Sequence, residues 1–150
     1  MRPTPATRAL EPIIRDLIGT RDGATYFADR VWGVSLRYDL GSNDPLVGRS
    51  APDFELVDGR KLGTLLAAGR GLFLDFDFRQ PFQPLACRWS DRLTYAASEI
   101  KETLGLSAML VRPDGIVAWV GGGASDQRET AEEVLSRWFG YPGLAPASPR

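Results

Sequence analysis

Three side chains in this sequence have the types and spacing to do chemistry: Asp75, Asp77 and Cys87. The two aspartates close the stretch Arg70–Phe78, RGLFLDFDF. Two residues apart on a regular strand, they point the same way, and one carboxyl could be raised in pKa by its neighbour for general acid–base work. The alternative is that they hydrogen-bond backbone at the strand's end, with Arg79, Arg88 and Arg92 favouring neutralising pairs. Cys87 next to Arg88 is the sequence's only thiol. It reads either as a peroxidatic nucleophile or, beside Leu85, Ala86 and Trp89, as a small buried apolar residue. The chain contains no histidine, which removes Ser-His-Asp and Cys-His catalysis and imidazole metal sites. With one cysteine, structural zinc and an internal disulfide are excluded too.

The elements that must position these groups follow from pattern. Leu72, Phe73, Leu74 and Phe76 form a short apolar run between Gly71 and the breakers Gln80 and Pro81, as in a central strand buried on both faces. RQPFQPLACRW then leads through a loop into a short helix carrying Cys87 and Trp89. Leu93–Ala97 reads as a second strand, and Glu99–Leu104 as a polar crossover. Ala108–Val111 and Ile116–Val120 flank Arg112-Pro113-Asp114-Gly115, hairpin chemistry that makes the two strands antiparallel neighbours. Gly121-Gly122-Gly123 lacks the context of a dinucleotide loop and reads as a hinge. A last helix, capped at Ser125 or Asp126, runs through Val134, Leu135, Trp138 and Phe139 to Gly140.

Upstream of the central strand, Phe54 and Leu56 alternate with Asp53 and Glu55 as in an edge strand. Leu62–Ala68 has helical spacing, stopped by Gly69. Residues 39–52, rich in Gly, Pro, Asn and Asp, read as a linker. Before it, Leu10, Ile13, Ile14, Leu17 and Ile18 mark an amphipathic helix with Pro12 in its first turn. Thr20 or Asp22 caps a second helix running to about Tyr38. These two form a hairpin packed on the main domain, or present apolar faces to a partner.

The 150 residues carry a formal charge of −1, which gives no electrostatic footprint for nucleic acid or anionic membrane. No apolar run reaches membrane-spanning length, the N-terminus lacks a signal peptide's apolar core, and a lone cysteine fits a reducing cytoplasm. The preference for Arg over Lys points to a GC-rich genome. Trp32, Trp89, Trp119 and Trp138 could stack a flat polycyclic ligand, or form core.

The resulting order, β-α-β-crossover-β-β-α behind a short strand and helix, is an α/β, thioredoxin-like arrangement with an N-terminal helical hairpin. LRYDL, PLVGRSAPDFEL, DGRKLGTLLAAGRGLFLDF, LVRPDGIVAWV and the closing RWFG resemble the C-terminal region of FAD-dependent aromatic hydroxylases. The closest likeness is to actinomycete polyketide-tailoring enzymes of the aklavinone and angucycline type, from about Ala9 to Tyr141. The resemblance implies three parts. Residues 1–45 correspond to the end of the hydroxylase middle domain, 46–141 to the thioredoxin-like domain, and 142–150 to a disordered tail.

The resemblance also implies that flavin chemistry lies elsewhere. The chain has no GxGxxG unit or later Gly-Asp ribityl motif, so no FAD or other cofactor is expected on it. Arg79-Gln80-Pro81-Phe82 stands where a thioredoxin keeps Cys-x-x-Cys, which rules out dithiol exchange. APDFEL-x-DG resembles a peroxiredoxin opening, yet no Thr or Ser lies between Pro81 and Cys87. Two readings stand. One is a redox-silent assembly or ligand-binding module of polyketide tailoring, associating as a homodimer or with a flavoprotein through its N-terminal helices. The other is a small enzyme, either a Cys87 peroxidase or a cofactorless catalyst using Asp75 or Asp77.

Overall fold

The computed structural model describes residues 4–33, 35–99, 105–122 and 127–142, with side chains left aside at 127–129. The chain divides into two compact units, Met1–Leu36 and Arg37–Arg150.

The first unit is two helices, α1 (Pro5–Ile18) and α2 (Arg21–Val31). α1 starts earlier than its apolar periodicity indicates, because Thr4 accepts the Thr7 amide at 3.3 Å and Pro5 follows at the first helical position. Pro12 therefore falls inside the helix rather than in its first turn. There it deprives the Arg8 carbonyl of a partner. Thr20 is the cap of α2, accepting the Gly23 amide at 3.1 Å and donating to the Leu17 carbonyl at 2.7 Å. Gly23 lets the helix ends meet: a Cβ there would lie 1.8 Å from the Leu17 carbonyl oxygen. α2 stops at Val31 instead of continuing to Tyr38, with Gly33 at φ +72° just beyond. Neither helix buries a residue.

The second unit is built on a four-stranded sheet of β1 (Gly71–Asp75), β2 (Leu93–Ala97), β3 (Ala108–Val111) and β4 (Val117–Gly121), in the order β2-β1-β3-β4. β1 and β2 are parallel, joined by α4 (Gln83–Ala86) and a 3₁₀ turn over Cys87–Trp89. β1–β3 and β3–β4 are antiparallel. The β3–β4 turn closes through the Arg112 amide on the Ile116 carbonyl at 2.9 Å, with Gly115 at φ +81°. Alternation along β1 sends Phe73 to one face, against Leu85, Trp89, Leu110, Leu135 and Phe139 of α4, the sheet and α5 (Gln127–Phe139). Leu72 and Leu74 face the other way, with Leu56, α3 (Leu62–Leu66), Met109 and Val117. All three β1 side chains are fully buried, each contributing about 1.5–3 kcal/mol.

Several local expectations give way to longer-range interactions. The region read as a linker is pinned: Arg37 donates to the carbonyls of Val47, Ser42 and Asp44 at 3.1, 3.0 and 2.9 Å. The Gly48 amide reaches the Val117 carbonyl, and the Val117 amide the Arg49 carbonyl, both at 2.9 Å, so this segment lines the free edge of β4. The edge strand at Phe54–Leu56 shrinks to the bridging residues Glu55 and Leu56, with Glu55 opposite Lys61 and the Val57 amide on the Glu99 carbonyl at 2.9 Å. The Asp58-Gly59 turn folds the segment back, setting the Leu56 amide on the Arg60 carbonyl at 2.9 Å. Gly121 is buried and paired with Ala108 rather than acting as a hinge. Gly123, the cap at Ser125 or Asp126, most of the Glu99–Leu104 crossover and the tail beyond Pro142 lie outside the described residues.

Candidate functional site: a buried carboxylate under the β1–α4 loop

β1 ends at Asp75 rather than continuing through Phe78, and its carboxylate is the reason. Asp75 is wholly buried, the only such charged side chain among the described residues. One oxygen accepts the Tyr95 hydroxyl at 2.8 Å and the Phe82 amide at 3.1 Å; the other accepts the Asp77 amide at 3.2 Å. Three donors thus satisfy an acid that would otherwise be costly to bury. In doing so they curl residues 76–82 over it. Gln80, at φ +51°, is the one non-glycine residue with positive φ among those described. Its strained conformation is held by Gln80 N–Asp77 O at 2.9 Å and Gln83 N–Gln80 O at 3.2 Å.

Asp77 therefore leaves the strand and does not form a carboxylate pair of the expected kind. It accepts the Arg79 amide at 2.9 Å and the Arg79 guanidinium at 3.2 Å. That guanidinium holds its carboxyl below the ordinary range. Tyr95 shifts the other way: burial first, then the bond to Asp75, raise its hydroxyl above the usual phenol. The hydroxyl stays a proton donor to Asp75 across ordinary pH. Arg79 also stacks 5.6 Å from the ring of Phe78, which is 80% exposed at the loop's tip.

Cys87 is exposed, not buried. The helical turn that buries Leu85, Ala86 and Trp89 rotates positions 87 and 88 outward. Arg88, its neighbour, is taken up by an ion pair with Glu132 and by stacking 5.1 Å over Trp89. Neither Arg88 nor Arg92 pairs with an aspartate of the site. Arg92 binds Asp91 at 2.9 Å and the carbonyls of Phe139 and Tyr141. Together with the Trp89 indole on the Gly140 carbonyl at 2.7 Å, it closes the C-terminus of α5. Trp89 and Trp119 are core, and Trp138 lies under Arg112, 4.3 Å away, with Arg137 at 5.6 Å. These three do not make an open stacking platform.

Sequence reasoning missed Tyr95 and the α5 clamp. The signal for Tyr95 was present: Phe73 pairs with it in register, so its ring shares the Phe73 face, and a half-buried phenol needs a partner. The flavin dinucleotide that the resemblance implies for whole hydroxylases does not fit this loop. Its inward amides already serve a carboxylate, which repels phosphate, and no glycine occurs between Gly71 and Gly105. No cluster of metal-ligating side chains occurs among the described residues.

Known proteins share this architecture. Over 149 residues the chain is 38% identical to a monooxygenase of Claviceps purpurea, covering 97% of this chain and 29% of that protein. It is 33% identical to 12-dehydrotetracycline 5-monooxygenase/anhydrotetracycline 6-monooxygenase of Streptomyces rimosus, covering 95% and 30%. The solved OxyS anhydrotetracycline hydroxylase of S. rimosus superposes with a TM-score of 0.73 at 31% identity, over 93% of this chain and 30% of that one. CabE, an aromatic hydroxylase from angucycline biosynthesis, gives 0.68 at 30% identity over 92% and 30%. The chain thus spans under a third of the length of these relatives. Residues 44–142, which hold the sheet, the Asp75 loop and the α5 clamp, match the aromatic-ring hydroxylase C-terminal domain, and the chain belongs to that family.

Proposed function

We propose that this chain is a redox-silent, thioredoxin-like module of aromatic polyketide hydroxylation, working in the cytoplasm as an assembly or ligand-binding component. The observation that carries this reading is the loop after β1. Where a thioredoxin-type enzyme presents thiols, this chain presents Arg79 to Phe82, tied down from beneath by Asp75. The aromatic ligand is a polyketide of the class its relatives' names describe. The assembly contact, to a second copy or to a flavoprotein, runs through the N-terminal helices.

The exposure of Cys87 favours one second reading, a single-cysteine peroxidase. Its requirement for a thiolate-activating cation is left to Arg88, which is engaged with Glu132. Both readings meet in one experiment. The protein is treated with hydrogen peroxide at neutral pH, sulfenic acid is trapped on Cys87, and the adduct is followed by mass spectrometry. Slow labelling, at the rate of a free peptide thiol, is the expected result. Fast stoichiometric labelling establishes the peroxidase and removes the redox-silent module.

A further inference from the structure

Besides its buried acid, the β1–α4 loop carries a side chain that the module reading leaves unused. Phe78 is 80% exposed at its tip. A lone exposed apolar residue on a loose turn is ordinary, but this one is held still. Asp75 fixes the loop from beneath through the Asp77 and Phe82 amides, and Gln80 keeps its positive φ between two hydrogen-bonded turns. Strain of that kind persists only where the surroundings over-determine it, and it clusters at functional sites. A rigid aromatic also loses little conformational freedom on binding, which makes it an efficient anchor.

The charges on either side decide what the anchor meets. Asp77 and Arg79 flank Phe78, an anion and a cation about one aromatic ring. Arg79 spends Nε and Nη2 on Asp77; its Nη1 has no partner among the described residues, and Asp77 Oδ2 accepts a single bond. The guanidinium lies over one face of the Phe78 ring, 5.6 Å from its centre, and the other face is open to solvent. Pro81, Gln83, Pro84 and Cys87, which follow the tip, are exposed and uncharged, so no charge there opposes close approach. A surface that orders anion, ring and cation in this way is complementary to its own image under a twofold axis.

We infer that the tip of the β1–α4 loop is a contact between two copies of this chain, in which the Phe78 rings stack by their open faces and each Arg79 reaches the partner's Asp77. Two carboxylates and two guanidinium groups then alternate around the axis, so the internal pair is extended and not broken. The stacked rings supply apolar burial, and the charges supply orientation. A contact of this small size gives weak, reversible association rather than an obligate dimer. It goes beyond the reading above and involves neither N-terminal helix.

Exchanging charge between copies tests this. Sedimentation equilibrium of the full chain, in reducing buffer so that Cys87 forms no disulfide, gives mass against concentration. The expected result is a reversible rise from one chain toward two. Phe78→Ala should weaken the association about tenfold or more. Asp77→Arg and Arg79→Asp should each do the same, because either one alone sets like charges against each other across the axis. Mixed in equal amounts, these two charge variants present opposite charges to one another, and the mixture should associate about tenfold more tightly than either variant by itself. Phe78→Ala keeps both charges and the Asp77 bond to the Arg79 amide, so its result stands whatever Asp77→Arg does to the loop. A chain that stays monomeric at every concentration overturns the inference. So does a dimer indifferent to Phe78→Ala and Arg79→Asp, whose contact then lies elsewhere. A mixture that associates no better than its components overturns it as well.

Discussion

Leu72 and Leu74 of β1 have no exposed surface, whereas Leu17 and Ile18 of α1 are 49 and 46% exposed. The same residue types, at equally regular spacing, thus have opposite fates in the two units. In the sheet unit each strand meets cover on both faces, from α3 and the Val47–Leu56 segment on one side and from α4 and α5 on the other. In the helical unit the helices touch where Gly23 permits, and their apolar sides face outward. Periodicity tells which side of an element is apolar. It does not tell whether the chain itself supplies the opposing surface.

The comparison breaks most sharply under truncation. Leu74→Ala should cost about 2–5 kcal/mol, because a filled core cannot collapse onto the gap. Leu17→Ala should change stability by no more than about 0.5 kcal/mol, as at other exposed positions. Urea unfolding of the two variants measures both. Equal losses would mean that α1 is buried in the isolated protein and that the contrast between units is false.

Next in size is the carboxylate that shapes the loop. Asp75→Ala strands the buried Phe82 amide, the half-buried Asp77 amide and the Tyr95 hydroxyl, at about 1–3 kcal/mol for each group that water does not reach. A total loss of about 3–5 kcal/mol is expected by urea unfolding, with Asp75→Asn intermediate because only one of its side-chain atoms still accepts. A loss below about 1 kcal/mol would show that the loop does not depend on its buried acid. Gly48→Ala should follow at about 2–3 kcal/mol. At φ +86° a Cβ would stand 1.9 Å from the Tyr38 carbonyl oxygen, backbone that side-chain motion cannot relieve. Thermal melting checks this, and an unchanged midpoint would mean that residues 37–49 are not pinned in solution.

How far these features were legible depends on the range of the interaction involved. β2 and β3 match their expected bounds because their signals are local: a short apolar run between breakers, and Pro-Asp-Gly chemistry at a turn. The pinned segment was not legible, since Arg37 is bound to carbonyls up to ten residues away and Gly48 to a strand far along the chain. Composition showed only turn formers there. Asp75 and Asp77 were legible as chemistry-bearing residues but not as unlike ones. Their difference arises where the strand stops, and it stops because Asp75 turns its acceptors on the following amides. Cys87 was misjudged from its neighbours in sequence; a helical turn separates adjacent residues onto different faces.

The smallest effect expected is electrostatic and separates the loop's two acids. Asp77 is half-buried, and its ion pair with the exposed Arg79 lowers its carboxyl below the reference value of 3.8. A group with a lowered folded pKa contributes stability above its unfolded pKa and loses it as pH falls through the folded one. Asp77→Asn should therefore lower stability slightly near neutrality, by no more than such surface ion pairs usually contribute, and converge with the wild type as pH falls below about 4. Tyr95 acts at the other end. Its raised hydroxyl contributes stability that is intact below its reference value of 10.0 and lost as pH rises through the folded pKa. Tyr95→Phe should flatten that alkaline limb while lowering stability at all lower pH by loss of the bond to Asp75. Melting temperatures of the three proteins from pH 3 to 11 decide this. If Asp77→Asn matches the wild type near neutrality as well as in acid, the Arg79 pair carries no folding energy, and the loop is held by Asp75 alone.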